Sequence, residues 1–160
     1  LENGDAVDVL PEHVKRVQRT ETITGEWYIP HVVEPAFGID RIIWHILDHA
    51  YDEASKDGEP YTILRLSEQV APVDYCVFPL FEKDGMGEMA RSLHQALSAT
   101  SGVVSVYDSS GSIGRRYARA DEIGVPHCLT VDHQSIEDQT VTIRDRDTGE
   151  QQRIAISELI

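Results

Sequence analysis

From Tyr75 onward the chain alternates short apolar runs with stretches of helical period, and that alternation restricts it to very few architectures. Tyr75 to Phe81 is a short apolar run. Met89 to Leu97 repeats at helical spacing, Val103 to Tyr107 reads as a strand, a Ser- and Gly-rich loop with a helix follows, and His127 to Val131 supplies another strand. Strands separated by helices of this length pair in parallel, which predicts an α/β fold. Val141 to Arg146 and Arg153 to Ile156, joined through Asp147-Thr-Gly-Glu150, read as a hairpin that makes the sheet a mixed one. Ser157 is expected as the N-cap of a further helix.

The residues before this block follow other patterns. Residues 1–20 are polar and mixed, with Val14 and Val17 as an apolar pair, and are expected to form a helical turn or a tether. From Glu21 to Val33 the β-branched and aromatic content rises and Gly25 offers a turn, so a hairpin or bulged strand is expected. Beyond Gly38, the residues Ile39, Ile42, Ile43, Ile46, Leu47 and Ala50 mark one face of an amphipathic helix expected to reach about Ala54. Lys56-Asp-Gly-Glu-Pro60 combines charge, glycine and proline and is expected to be a linker, which divides the chain into domains 1–57 and 58–160.

Hydrophobic content of 41% permits a real core. No run approaches the roughly 20 apolar residues that cross a bilayer, and no basic segment followed by an apolar one opens the chain. A cytoplasmic protein with no membrane partner is the expectation. Cys76 and Cys128 sit inside apolar runs and read as reduced core thiols rather than metal ligands. Acidic residues number 28 and are dispersed, the net charge is -14, and lysine occurs only at Lys15, Lys56 and Lys83. Dispersed acidity with little lysine suggests adaptation to high salt, where the Debye length shrinks to about 3 Å.

Against that charge, Asp108-Ser-Ser-Gly-Ser-Ile-Gly-Arg-Arg-Tyr-Ala-Arg-Ala-Asp-Glu-Ile-Gly-Val-Pro126 concentrates Arg115, Arg116 and Arg119. Ser112 is expected to cap a helix from Ile113 to about Ile123, with the arginines forming a cationic edge. Ser110, Ser112 and their loop neighbours offer hydroxyls and backbone N–H groups to phosphates, and Tyr117 could stack or pack. Asp121 and Glu122 oppose the helix dipole at the C-terminal end, a broken local rule of the kind found at sites. The bland alternative is that these arginines and acids pair with one another on a solvated helix. Arg144-Asp-Arg-Asp147 reads as a salt-bridged turn, and His45 with His49 as a solvated pair, since no third ligand stands at zinc-binding spacing.

The Asp108 to Pro126 stretch closely resembles a signature in the anticodon-binding domain of eukaryotic and archaeal glycyl-tRNA synthetases. Pro30-His-Val-Val-Glu-Pro-Ala-Phe-Gly-Ile-Asp-Arg41 resembles motif 3 of the class II catalytic core. The resemblance implies a mixed-sheet anticodon-binding domain preceded by the last strand and helix of an antiparallel catalytic domain. It implies a glycine-tRNA ligase using ATP and Mg2+, with glycine and tRNA-Gly as substrates and a homodimeric full-length form. Glu34, Gly38 and Arg41 fall at the ATP and glycine site, Glu34 and Arg41 as its catalytic residues, Arg41 stabilising the adenylation transition state electrostatically. Ser110, Ser112, Arg115, Arg116, Arg119, Asp121 and Glu122 fall at the anticodon. Glycine anticodons end in two cytosines, whose amino groups suit a carboxylate such as Asp121 or Glu122. Ala36 departs from the family's serine, and with it goes a hydroxyl contact to glycine. Motifs 1 and 2 are absent from residues 1–30, so the chain is expected to be a C-terminal part, inactive alone, with a monomer as an expected state. A non-catalytic RNA-binding accessory module is the alternative.

Overall fold

The computed structural model describes residues 4, 6, 8–56 and 59–160. The chain divides into two units, Leu1–Ala36 and Phe37–Ile160. In the first, the single regular element among the described residues is a 3-10 turn at Pro11–His13. The hairpin or bulged strand expected over Glu21 to Val33 is absent: these residues form no regular secondary structure and have no ladder partner, and Trp27 is 100% exposed. Strand propensity reflects packing on a pleated, half-buried surface, and without a neighbouring strand there is nothing to realise it.

The second unit opens with α1 (Ile39–Ala50), which follows Gly38 at the N-cap. The helix stops four residues short of the expected Ala54, because Tyr51–Lys56 (β1) turns instead to an antiparallel partner, Glu59–Leu64 (β2). The stretch expected to be a linker is therefore the tip of a hairpin, with Ser55 opposite Pro60; Asp57 and Gly58 lie outside the described residues.

The alternating block forms a five-stranded mixed sheet in the order β4-β3-β5-β6-β7. Its strands are β3 (Tyr75–Pro79), β4 (Ser105–Tyr107), β5 (His127–Val131), β6 (Thr140–Asp145) and β7 (Gln151–Ala155). The first three are parallel and the last two join antiparallel. Helices α2 (Met86–Ala99) and α3 (Ile113–Glu122) cover opposite faces. Strand period explains the division. Val77 of β3 points to the α2 side, where Met86, Ala90, Leu93, Leu97, Leu129 and Val131 are buried. Cys76 and Phe78 point to the other side, against Ala120, Val125 and Cys128. A strand covered on both faces is apolar throughout, which is why β3 reads as an unbroken run.

Two local features differ from expectation. A short helix, α4 (His133–Asp138), follows β5 and is capped by Asp132, whose carboxylate accepts the Ser135 N–H at 3.0 Å. Ser157 is not an N-cap but lies inside a 3-10 turn, Ile156–Glu158. Helix α3 ends in a Schellman arrangement, with Val125 N–H donating to the Ala120 carbonyl at 2.9 Å and Gly124 N–H to that of Asp121 at 3.2 Å. Gly124 has φ +81°, and a Cβ there would come within 2.9 Å of Leu66 and 3.0 Å of the Leu64 carbonyl, so glycine is required twice over.

Candidate nucleic-acid interface

The connection β3–α2–β4 runs over one face of the sheet and β4–α3–β5 over the other, so the segments leaving the carboxyl ends of β3 and β4 diverge. Such a divergence opens a crevice where doubly wound sheets take ligands. The loop from Asp108 to Ser112 stands there. It is folded largely by its own atoms: Asp108 accepts the Ser110 N–H at 2.8 Å and the Arg119 guanidinium at 3.1 and 2.5 Å. Burial opposes charge on Asp108, yet Arg119 and the Ser110 N–H hold its carboxyl below the usual carboxylate range. Ser112 occupies the N-cap position, and its carbonyl accepts the N–H groups of Arg115 and Arg116. Its hydroxyl makes no capping bond, contrary to expectation, and like Ser110 the residue is exposed.

The three arginines of α3 separate by direction. Arg116 is only 5% exposed and donates to the carbonyls of Gly111 at 2.7 Å, Ser110 at 3.4 Å and Pro79. It staples the loop to the end of β3 and is no part of a cationic edge. Arg119 is half exposed, splitting its donors between Asp108 and the Ser110 carbonyl at 2.7 Å. Arg115 is exposed and has no ion-pair partner among the described residues.

The two acids at the end of α3 separate in the same way. Asp121 is 2% exposed and held bidentately by Arg144 at 2.8 and 3.1 Å. Burial works against the charge on Arg144, but the Asp121 bond outweighs it and the guanidinium pKa is raised. Asp121 is thus unavailable to a base, and its conflict with the helix dipole is settled by a cation from β6. Tyr117 packs rather than offering a stacking face: its ring meets Phe78 edge-on at 5.4 Å and Arg144 at 5.0 Å, and its hydroxyl lies 2.6 Å from that of Thr130. Glu122 stays exposed. With Arg119, Asp108 and Ile123 it rims a cleft of about 340 Å³ floored by Cys76, Phe78 and Val106. Burial pushes the Cys76 thiol up to about 12, so the floor is chemically inert.

Arg144-Asp-Arg-Asp147, expected as a salt-bridged turn, does pair Arg146 with Asp147 at 2.8 Å, while Arg144 and Arg146 also reach inward. Arg146 donates to the carbonyls of Gly124 at 2.9 Å and Leu66 at 2.7 Å, while Asp145 folds the turn by accepting the Thr148 N–H at 2.7 Å. Sequence reasoning gave Asp108 no role, although an acid two residues before a loop serine is an Asx-turn signal. The Asp121–Arg144 pair had no such signal, since its members are brought together only by the sheet.

A family model described as an anticodon binding domain matches residues 74–160, which contain the whole five-stranded sheet. The chain belongs to the anticodon-binding domain family. It is 46% identical to a glycine-tRNA ligase of Methanocaldococcus jannaschii over 99% of this chain and 26% of that protein. It is 47% identical to a glycine-tRNA ligase of Archaeoglobus fulgidus over 98% of this chain and 27% of that one. The chain therefore spans about a quarter of the length of these curated relatives. Among solved structures it resembles prolyl-tRNA synthetase from Cryptosporidium parvum complexed with L-proline and AMP, with TM-score 0.54 and 28% identity over 60% of this chain and 21% of that one. The RNA binding domain of threonyl-tRNA synthetase from the same organism shares the fold, with TM-score 0.54 at 23% identity over 59% of this chain and 24% of that one.

Outside the residues matched to the anticodon-binding domain lie the three positions read as motif 3. Glu34 belongs to the first unit and is exposed in a segment without regular secondary structure. In the second unit Gly38 precedes α1 and accepts the Ile42 N–H at 3.1 Å, and Arg41 stands exposed in the first turn. On the same helix the rings of His45 and His49 are 6.2 Å apart.

Proposed function

We propose that this chain is the tRNA-binding end of a glycine-tRNA ligase, with residues 58–160 reading the anticodon and residues 1–57 closing the catalytic domain. The observation that carries the reading is that nearly the whole chain aligns with glycine-tRNA ligases while the exposed part of the signature loop occupies the sheet's switch point. Ser110, Ser112 and Arg115 hold the RNA backbone, Arg119 contributes its exposed edge, and Glu122 accepts the amino group of an anticodon cytosine. Arg116 and Asp121 act one step back, fixing the loop and the helix end. In the full-length enzyme, Glu34, Gly38 and Arg41 belong to the site for ATP, Mg2+ and glycine, where Arg41 supplies fixed positive charge to the adenylation transition state. The full-length enzyme is a cytoplasmic homodimer, the isolated chain does not charge tRNA, and the acidic surface is an adaptation to high salt.

The test is a titration in about 1 M potassium chloride against a glycine tRNA transcript and a copy with both anticodon cytosines replaced. The wild-type chain prefers the native anticodon, and Glu122→Gln narrows that preference by about 1–3 kcal/mol, by weakening the native transcript while leaving affinity for the altered one nearly intact. Equal weakening for both transcripts sinks the assignment of Glu122.

A further inference from the structure

Four charged residues lead from the β1–β2 hairpin to the C-terminal end of α3. Asp52 of β1 accepts from Arg65, just past β2, at 2.8 Å, and Arg65 also donates to the Asp147 carboxylate, in the turn between β6 and β7, at 3.1 Å. Arg146 binds the same carboxylate at 3.0 and 2.8 Å and directs its other donors to the carbonyls of Gly124 at 2.9 Å and Leu66 at 2.7 Å. One guanidinium, on a residue only 4% exposed, therefore joins the chain leaving β2, the end of α3 and its own turn. The Arg146 N–H donates to the Pro126 carbonyl at 2.9 Å, which adds the residue just before β5. These segments also touch through their backbones, since Gly124 has no room for a Cβ against Leu64 and Leu66. Arg65 N–H donates to the Ala50 carbonyl at 2.6 Å, so the end of α1 is tied to the same point.

The exposed pairs at Arg65 are weak singly, because water screens them. Arg146 differs, for its guanidinium is out of water, always charged and planar, and its fixed fork sets the direction of every segment it binds. Turning the hairpin against α3 would strand that buried charge without its partners. A hinge needs the opposite, few buried contacts and backbone bonds open to water. We propose that Arg146, with Asp147 and Arg65, is a positioning device that locks α1 and the β1–β2 hairpin to the C-terminal end of α3. In a glycine-tRNA ligase, tRNA held at α3 then meets an α1, with its Gly38 and Arg41, in one fixed orientation. That consequence rests on the ligase reading above, whereas the lock rests on the contacts alone.

The first arm of the experiment uses the chain itself, spin-labelled at Asp48→Cys on α1 and Glu137→Cys on α4, both exposed positions. Double electron–electron resonance should give one narrow distance distribution for the otherwise wild-type chain, a broad one for Arg146→Gln and a moderately broadened one for Arg65→Met. A broad wild-type distribution, or equal widths in all three, overturns the lock. Arg65→Met removes only exposed pairs, so it judges the lock even where Arg146→Gln does not fold. The second arm puts the same substitutions into the full-length enzyme and compares glycine-dependent exchange of pyrophosphate into ATP, affinity for an anticodon stem-loop RNA, and charging of tRNA-Gly. Charging by Arg146→Gln falls about 10- to 100-fold while the other two stay nearly unchanged, because each site is intact and only their relation is lost. Loss of all three together makes Arg146 a stability residue and overturns the positioning role, as does unchanged charging. A wild-type enzyme that charges no tRNA-Gly removes the ligase reading and leaves the lock to be decided by the distance measurement.

Discussion

Helix α3 and the hairpin of β6 and β7 both carry arginines interspersed with acids, yet they direct them oppositely. In β6 and the turn after it, Arg144 and Arg146 are two residues apart, so strand period puts both on the face toward α3, where Asp121 and two carbonyls receive them. In α3, Arg115, Arg116 and Arg119 are spread around the helix. One is buried, one is half exposed on Asp108, and one is open to solvent. The same charge pattern thus builds an interior network in one element and a surface in the other. What separates them is the angle each residue makes with the core, not the composition.

The comparison is broken most directly at Asp121. Replacing it with Ala leaves Arg144 charged and buried without a partner, and destabilisation by about 3–5 kcal/mol is expected in a denaturant melt. The Asp121→Leu/Arg144→Met double variant recovers most of that loss. A double variant no better than the single would mean that the network does more than neutralise charge.

A smaller effect is expected at the pair that ties β7 to the start of α4. Asp132 is bound by Arg153 at 2.8 and 2.7 Å, and that bond holds its carboxyl well below the usual range. A depressed folded-state pKa contributes stability above the unfolded value near 4 and loses it as the pH falls. The melting temperature of Asp132→Asn, which can still cap α4, should lie below that of wild type near pH 6, by less at pH 3, with the gap closing further only as the pH falls below that. A gap that stays constant would separate the carboxylate's charge from its role.

The smallest effect sharpens the contrast between buried and exposed charge. Salt reduces RNA binding through Arg115 and Arg119 but leaves the coupling between Asp121 and Arg144 in a double-mutant cycle nearly unchanged. With a net charge of -14, the chain itself is expected to melt higher as potassium chloride is raised, and a lower melting point in salt would contradict the high-salt reading.

Much of the fold was legible because its signals are local. The apolar run of β3, the helical spacing of α2 and the loop before α3 each declare themselves within a few residues, and their alternation implies parallel pairing. Glu21 to Val33 misled because strand-forming residues need a neighbour, and α1 ended early because Tyr51 to Lys56 found one in β2. The signature loop and its helix were legible as elements, but not how their charged side chains divide between interior and surface. That Arg116 and Asp121 turn inward depends on Pro79 and Arg144, partners brought near only by the folded sheet. Tyr75 to Phe81 reads as one apolar run, but the strand within it stops at Pro79 and leaves Phe81 half exposed.

Cys76 and Cys128 stand side by side across β3 and β5, buried, with their thiols shifted upward chiefly by that burial. Neither presents a thiolate to solvent at neutral pH, so an alkylating reagent reaches them only when the sheet opens. The chain therefore carries an internal clock: the rate at which these two sulfurs are labelled reports how often its centre comes apart, with no probe added to its surface.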